Sequence, residues 1–302
     1  MQNYDFYSSF SSYQELNCIF VLMKNDHKMK KIEILCLIVC IGLLSCGDNE
    51  VKKAEQLLGK AQRSFESGQY SEAKLQIDSI KVLYPKAFEV RKKGIKLMQQ
   101  VDLKEQEKTL AYLDSMMTIK VAQFDSIKSH FVLEKDTAYQ EVGNYFYPTQ
   151  TVEKNIGRTF LRAQVSEQGE MAMTSIYCAG GNIHHTAVKV SVGEDAAVTP
   201  TSKDIYETTD LGRPIEKADY KLGEDGGVVA FIVQHKDQNV QVQFIGDRTY
   251  RTAMQASDRK AFVELSNLAR ILSGIEQIKK EQKEANRKIE FVKRKMQENA
   301  AD

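Results

Sequence analysis

The sequence has no tryptophan, only four prolines among its 302 residues, and almost no excess of charge of either sign. Lysine and arginine total 42 against 41 aspartates and glutamates, a formal net charge of +1. Proteins that bind nucleic acid carry a strong basic excess, so this balance argues against that class. The composition, 42% hydrophobic and 27% charged, is that of a folded chain long enough for two domains or one elongated body.

The chain also has an apolar segment near its start that is too short to be a membrane span. Ile34–Leu44 is a run of about eleven residues, whereas a spanning helix takes roughly 20. Lys30 and Lys31 precede this run, directly after Met29. A positive segment followed by a short apolar one is typical of a secretory signal peptide.

The apolar run ends in Leu43-Leu44-Ser45-Cys46, which resembles the lipobox of bacterial lipoproteins. The resemblance implies that residues 29–45 are a signal peptide, cleaved before Cys46, and that Cys46 carries a diacylglyceryl group. Two or more acyl chains, at about 0.8 kcal/mol per buried methylene, hold a protein firmly on a membrane. We therefore expect an envelope protein, lipid-anchored at the outer membrane.

This interpretation also assigns the two segments that flank the signal peptide. Residues 1–28 precede a complete signal sequence, so we interpret them as an extension outside the native protein, with a long n-region as the alternative. Residues 46–50 form the tether. Its Asp48 and Glu50 are similar to the acidic surface-export signal of Bacteroidota lipoproteins, and they fit a solvated tether equally well.

Cysteine usage excludes a disulfide framework in the exported part. The chain has five cysteines: Cys18, Cys36, Cys40, Cys46 and Cys178. Cleavage before Cys46 removes the first three, and lipid occupies Cys46. Cys178 then has no intramolecular partner, although the compartment is oxidising.

The segment 51–147 is predicted to be helical, beginning with a hairpin over residues 51–85. Ala61, Ala73 and Pro85 recur at a spacing that, with a turn at Gly68, resembles one tetratricopeptide repeat. Phe65 lies one place later than the aromatic residue of that family. Because one repeat cannot bury its own apolar face, we expect the hairpin to pack on the next segment of the chain.

Two long helices carry apolar residues at heptad spacing. The first stripe is Leu110, Leu113, Met117, Phe124, Ile127 and Phe131, interrupted by Lys120; the second is Leu268, Ile271, Ile275, Ile278, Gln282, Ala285, Ile289, Val292 and Met296. We predict that the helix over 257–302 pairs with the first long helix as an antiparallel stalk. The alternative is a coiled coil between copies of the chain.

Residues 148–256 between the helices are predicted to be a β domain, an antiparallel sandwich or small barrel of five to seven strands. The strand-like runs are Thr159–Val165, Met171–Cys178, Thr186–Val192, Val228–His235 and Val240–Ile245. Residues 236–239 are predicted to be the hairpin loop between the last two. The fold class is therefore α+β, with the β domain inserted between paired helices.

The first candidate for chemistry is a short string in this β region. Cys178 precedes Gly180-Gly181 and then His184 and His185, which allows a cysteine nucleophile with a histidine base. No residue that would orient the base is identifiable by spacing. If the histidines lie on a strand, they point to opposite faces and at most one faces Cys178. The alternative is a structural role for both residue types.

His235 allows a second hypothesis, a metal site shared with His184 or His185. Zinc needs three or four ligands, and the sequence does not identify the remaining carboxylates. We therefore predict no metal and no cofactor. The preferred function is a non-catalytic lipoprotein that binds or scaffolds a protein or glycan partner. The alternatives are an envelope enzyme with a site around Cys178, His184 and His185, and a homo-oligomeric coiled-coil lipoprotein.

Overall fold

The computed structural model describes residues 49–301 with the exception of residue 211. The extension 1–28, the signal peptide 29–45 and Cys46 lie outside the described residues. The chain divides into two compact units, with the boundary between Asp102 and Leu103. Among the helices that are described, none combines the length and apolarity needed to cross a membrane.

The first unit is helical. Its elements are α1 (described over residues 49–66), α2 (Tyr70–Leu83) and the first part of α3 (Phe88–Ile127). Gly68 occupies the turn between α1 and α2 with φ of +75°, a left-handed conformation that glycine adopts without strain. Ala61 and Ala73 are fully buried and pack with Ile77, Leu97 and Val101. The predicted helical hairpin is therefore present.

The second unit begins in α3 and contains two sheets and two further helices. Its strands are β1 (Val132–Glu134), β2 (Asn144–Phe146), β3 (Phe160–Ser166), β4 (Met171–Tyr177), β5 (Ala187–Val192), β6 (Asp195–Val198), β7 (Asp204–Asp210), β8 (Arg213–Lys221), β9 (Gln241–Ile245) and β10 (Thr249–Ala253), and its helices are α4 (Val228–Gln234) and α5 (Ala256–Ala301). Short 3-10 turns cover Lys128–His130 and Val152–Lys154. The prediction of an α+β fold is confirmed.

Both sheets are antiparallel. One has the strand order β1-β2-β3-β4-β8-β7 and the other the order β10-β9-β5-β6. Strands β3, β4, β5 and β9 are the predicted ones. The remaining six described strands were not predicted: β1, β2 and β6 have only three or four residues, the exposed β7 lacks an alternating apolar face, and β8 and β10 were missed.

The prediction of a strand over Val228–His235 is wrong, because Val228–Gln234 form α4 and His235 follows its end. The β-branched run favours a strand by propensity. Asp225, however, accepts a hydrogen bond from the backbone N–H of Val229 at 2.8 Å, which caps the start of a helix. Val228, Val229 and Ile232 then share its buried face. Residues 236–239 consequently join a helix to β9 and are not a hairpin loop.

One core cluster serves both sheets and the long helices. The inner face of the six-stranded sheet contributes Leu161, Ala163 and Met173, and the four-stranded sheet contributes Val190 and Phe244. The amino-terminal half of α5 lies on the same cluster and packs against β3 and β4. The side chains on the other face of the six-stranded sheet therefore point away from this core.

The predicted pairing of α5 with α3 is confirmed. The apolar stripe of α5 is buried, from Leu268 to Val292, and Met117 and Phe124 of α3 pack against the same core. Gln282, the polar member of the stripe, donates a hydrogen bond from Nε2 to Oδ1 of Asp114 at 2.7 Å. The stripe is thus covered within one chain.

Aromatic residues link the end of α3 to the sheet. Tyr145 of β2 packs edge-on against Phe124 at 6.0 Å between ring centroids, and Tyr147 packs likewise against Phe131 at 6.2 Å. All four rings contribute to the main core or pack on it. The cluster is therefore a hydrophobic joint between α3 and the six-stranded sheet.

Candidate functional site

The loop between β4 and β5, residues 178–186, carries three of the predicted candidates. Its Cys178 is half-buried, and the backbone N–H of Cys178 donates to Oγ1 of Thr159 at 2.9 Å. His184 is exposed and His185 is fully buried, and neither lies in a strand. The fourth candidate, His235, lies at the end of α4, where its ring stacks on Phe231 at 4.2 Å.

His185 is the centre of a buried polar network. Its Nε2 lies 2.8 Å from Oγ of Ser175 in β4, and its Nδ1 lies 3.0 Å from Oε2 of Glu216 in β8. Hydroxyl, imidazole and carboxylate stand in the order used by serine hydrolases. All three residues have 0% exposure, so a substrate has no access to the Ser175 hydroxyl. In this conformation the network stabilises the core and is closed to catalysis.

The carboxylate of Glu216 collects an unusual number of hydrogen bonds. Its Oε1 accepts the backbone N–H groups of Ile183 at 2.7 Å and His184 at 3.0 Å, and its Oε2 accepts that of His185 at 2.8 Å. His184 has a φ of +52°, and this left-handed backbone aims three successive N–H groups at one anion. Glu216 therefore holds the loop against β8.

The pKa of Glu216 lies below its usual range despite its burial. Burial raises the pKa, as the largest single influence. The N–H and ring of His185, together with the N–H groups of Ile183 and His184, lower it and outweigh burial. The carboxylate is thus kept ionised inside the core by hydrogen bonds to its charged form.

Three side chains near this loop could ligate a metal, but their ligand atoms already form hydrogen bonds within the protein. Ligand atoms of His184, Glu207 and Glu216 lie within 4.8 Å of one another. A carboxylate has about four acceptor positions, and Glu216 uses four for the loop. Nδ1 of His184 already lies 2.9 Å from Oε1 of Glu207, a contact that raises the pKa of His184. The donors fit an ion pair better than a metal, and His235 is not among them.

Cys178 is not joined to a base. Among the described residues, no hydrogen bond connects its Sγ to His184, to His185 or to any other side chain. It borders two cavities, one of about 130 Å³ lined in part by residues 150–158 and one of about 420 Å³ beside Gly180-Gly181. The pairing of Cys178 with a histidine, on which the enzyme alternative depends, is therefore not formed in the described part of the chain.

A groove on the outer face of the six-stranded sheet has a volume of about 890 Å³. We call it the sheet-face groove. Its lining residues are polar or charged apart from a few small and apolar ones: Arg162, Gln164, Ala172, Thr174, Pro200, Thr201, Ser202, Lys203, Asp204, Asp219, Tyr220, Lys221 and Glu224. Strand register sets Arg162, Thr174, Asp219 and Asp204 side by side in one row across β3, β4, β8 and β7.

Arg162 has no hydrogen-bond or ion-pair partner in the part of the chain that is described, and its Nε is buried without one. Its guanidinium lies over the ring of Phe146, 5.0 Å from the centroid. Burial lowers the pKa of Arg162 and outweighs the opposing effect of Glu134 and Asp219. The neighbouring Asp219 instead accepts a hydrogen bond from Thr174. The groove therefore contains a partly desolvated cation available for an external anion.

Sequence reasoning found His184 and His185 but missed Ser175, Glu216 and Arg162. These three residues come from three strands, and β8 was not predicted as a strand. Ala218 and Tyr220 alternate with charged residues, which would have been the sequence signal for β8. Together with Glu216 they form its buried face. Only the sheet register brings the three positions near the loop and the groove.

Comparison with protein-family models, with curated proteins and with solved structures finds no match to this chain.

Proposed function

We propose that this chain is a non-catalytic, lipid-anchored lipoprotein of the bacterial cell envelope that binds a protein or glycan partner at the sheet-face groove. The observation that carries the binding part is Arg162, a partly buried guanidinium with no hydrogen-bond or ion-pair partner among the described residues, in a groove of about 890 Å³. Ligand sites commonly have volumes of about 300–1,000 Å³ with a few well-placed polar groups. The anchoring part rests on the lipobox resemblance at Cys46.

The envelope enzyme remains the second candidate, with a site around Cys178, His184 and His185. The closed Ser175–His185–Glu216 network and the absence of a base at Cys178 weigh against it. A thiol-reactive probe separates the two, because an activated thiolate reacts fast at neutral pH and a structural thiol slowly. The homo-oligomeric alternative is weakened because α3 already covers the α5 stripe.

Anchoring is tested by mass spectrometry of the mature protein purified from the membrane fraction of a bacterium that expresses the full chain. The expected mature species begins at Cys46 and carries acyl chains, whereas Cys46→Ser gives no acylated product. An unmodified Cys46, or a mature chain that retains residues before it, contradicts the lipoprotein assignment.

Binding is tested by photocrosslinking in the same cells. A photoreactive amino acid at Gln164, inside the sheet-face groove, should give a discrete crosslinked product of fixed mass. The same amino acid at Lys280, on the exposed face of α5, is the control and should not. Loss of the Gln164 product in an Arg162→Gln background is expected. Equal products at both positions, or none at Gln164, contradict binding at the groove.

A further inference from the structure

The length of the sheet-face groove and the chemistry of its side chains limit the kinds of ligand that it can bind. Its row of side chains runs from Arg162 on β3 to Asp204 on β7, across three gaps between strands. At about 4.8 Å per gap the row is about 14 Å long. An extended peptide advances about 3.3–3.6 Å per residue, so about four residues cover this length.

The positive charge of Arg162, at the β3 end of the row, favours an anionic ligand. Arg162 supplies a planar guanidinium whose fork of donors matches a carboxylate, and such bidentate pairs are stronger than neutral hydrogen bonds. The partial burial that leaves its Nε without a protein partner also strengthens its attraction for an anion. Asp219, the nearest carboxylate along the row, is engaged by Thr174.

The remainder of the groove offers both donors and acceptors. Lys203 and Lys221 supply donors, and Asp204 and Glu224 supply acceptors. Neither lysine forms an ion pair within the described residues. A mixture of this kind suits the N–H and C=O groups of a peptide backbone, which need both types of partner.

An acidic glycan fits the groove less well than a peptide. Sugar rings are commonly held by stacking on exposed aromatic rings. The one aromatic residue that lines the groove is Tyr220, which is 4% exposed and donates its hydroxyl to the backbone oxygen of Thr186. No aromatic face of the lining residues is therefore presented to a sugar.

We propose that the ligand of the sheet-face groove is a short, extended peptide whose C-terminal carboxylate is held by Arg162. This inference rests on the proposed binding function and narrows its partner to peptide. The carboxylate pairs with the guanidinium of Arg162, and the next three or so residues lie across β4 and β8 toward Asp204.

The test uses two pools of randomised N-acetylated tetrapeptides, one with free carboxyl ends and one with amidated ends. Each pool is passed over the detergent-solubilised full chain, immobilised on beads, and retained peptides are identified by mass spectrometry. The best retained peptides are resynthesised for titration. We expect retention from the free-carboxyl pool, and weakening by roughly tenfold to a hundredfold on amidation, the loss of a charged hydrogen-bonded pair.

The Arg162→Gln variant should show the same loss, and Arg162→Lys an intermediate one, because lysine keeps the charge without the fork. Arg251→Gln is the matched control, since Arg251 is an exposed arginine on β10 of the other sheet. A third arm with polygalacturonate tests an acidic glycan. Retention of the glycan without peptide, no retention of either, or peptide binding unchanged in Arg162→Gln overturns the inference.

The outcomes for the two proposals are distinguishable. A crosslinked partner at Gln164 with no peptide retention leaves the proposed binding function standing and removes the peptide assignment. If Cys46 is unlipidated and peptide retention depends on Arg162, the anchoring part of the proposed function is removed. The binding part and the peptide assignment then both stand.

Discussion

Removal of the Glu216 carboxylate should destabilise the second unit strongly. Glu216→Ala leaves the backbone N–H groups of Ile183, His184 and His185 without the acceptor they contact at 2.7–3.0 Å. A buried donor without a partner costs about 1–3 kcal/mol. Taking the low end for each of three donors gives a loss of about 3 kcal/mol in the free energy of unfolding.

Glu216→Gln is the conservative companion substitution. The amide oxygen replaces one carboxylate oxygen and still accepts two N–H groups, while the amide nitrogen faces the N–H of His185 donor to donor. We expect a loss of about 2 kcal/mol, between the alanine variant and the wild type. Glu194→Gln, in the exposed β5–β6 turn, is the control and should change stability by less than about 0.5 kcal/mol.

The assay is urea denaturation of the full chain at pH 7, followed by far-ultraviolet circular dichroism and by tyrosine fluorescence. Tyr177 packs edge-on against His185, with ring centroids 6.3 Å apart, so the tyrosine signal includes a ring in contact with the network. If Glu216→Ala unfolds within about 0.5 kcal/mol of the wild type, the three hydrogen bonds do not stabilise the loop and the reasoning fails.

The same group makes stability depend on pH. Because the pKa of Glu216 is lower in the folded protein than the ordinary value of about 4.3, its contribution is fully present above that value. The contribution is lost as pH falls through the lower, folded pKa. Wild-type stability should therefore decline on the acid side more steeply than that of Glu216→Gln, and parallel acid profiles would contradict this.

Three further outcomes are expected. Gly169→Ala should lower Tm by several degrees, because Gly169 has a φ of +83° and an added Cβ would lie 2.1 Å from the backbone nitrogen of Ser273. Gly193→Ala is the control, since it strains only its own turn. Ile275→Asp should cost about 4 kcal/mol in urea denaturation, because it buries an unpaired charge in the core; an unchanged midpoint contradicts the pairing of α5. Histidine NMR titration should give His184 a raised pKa that returns to normal in Glu207→Gln; identical titrations refute the ion pair.

Periodicity allowed the long helices and their pairing to be predicted from sequence. Leu268, Ile271 and Ile275 recur at steps of three and four, and a stripe of that period requires a partner surface. Met117 and Phe124 offered one within the chain. Local pattern was sufficient here because one element carries the whole signal over many turns.

The sequence pattern gave a wrong prediction where a helix cap decided the secondary structure. Val228–His235 has the composition of a strand, and only the Asp225 cap with its left-handed glycines made it α4. Likewise β7, exposed over most of its length, carries no alternation of its own and exists because β8 pairs with it. Hydrogen bonds to β8 stabilise β7 as a strand, although the residues of β7 show no alternating apolar pattern that favours one.

The sequence alone determined the α+β class, the paired helices, the four strongest strands and the position of the histidine loop. The tertiary structure alone decided which groups meet there. Glu216 reaches His185 from 31 residues away, and Arg162 enters the groove through the register of β3 with β4. An apolar period can be recognised within one segment of the sequence. The partners of a buried charge depend instead on strand order and register, which form only when distant segments pack.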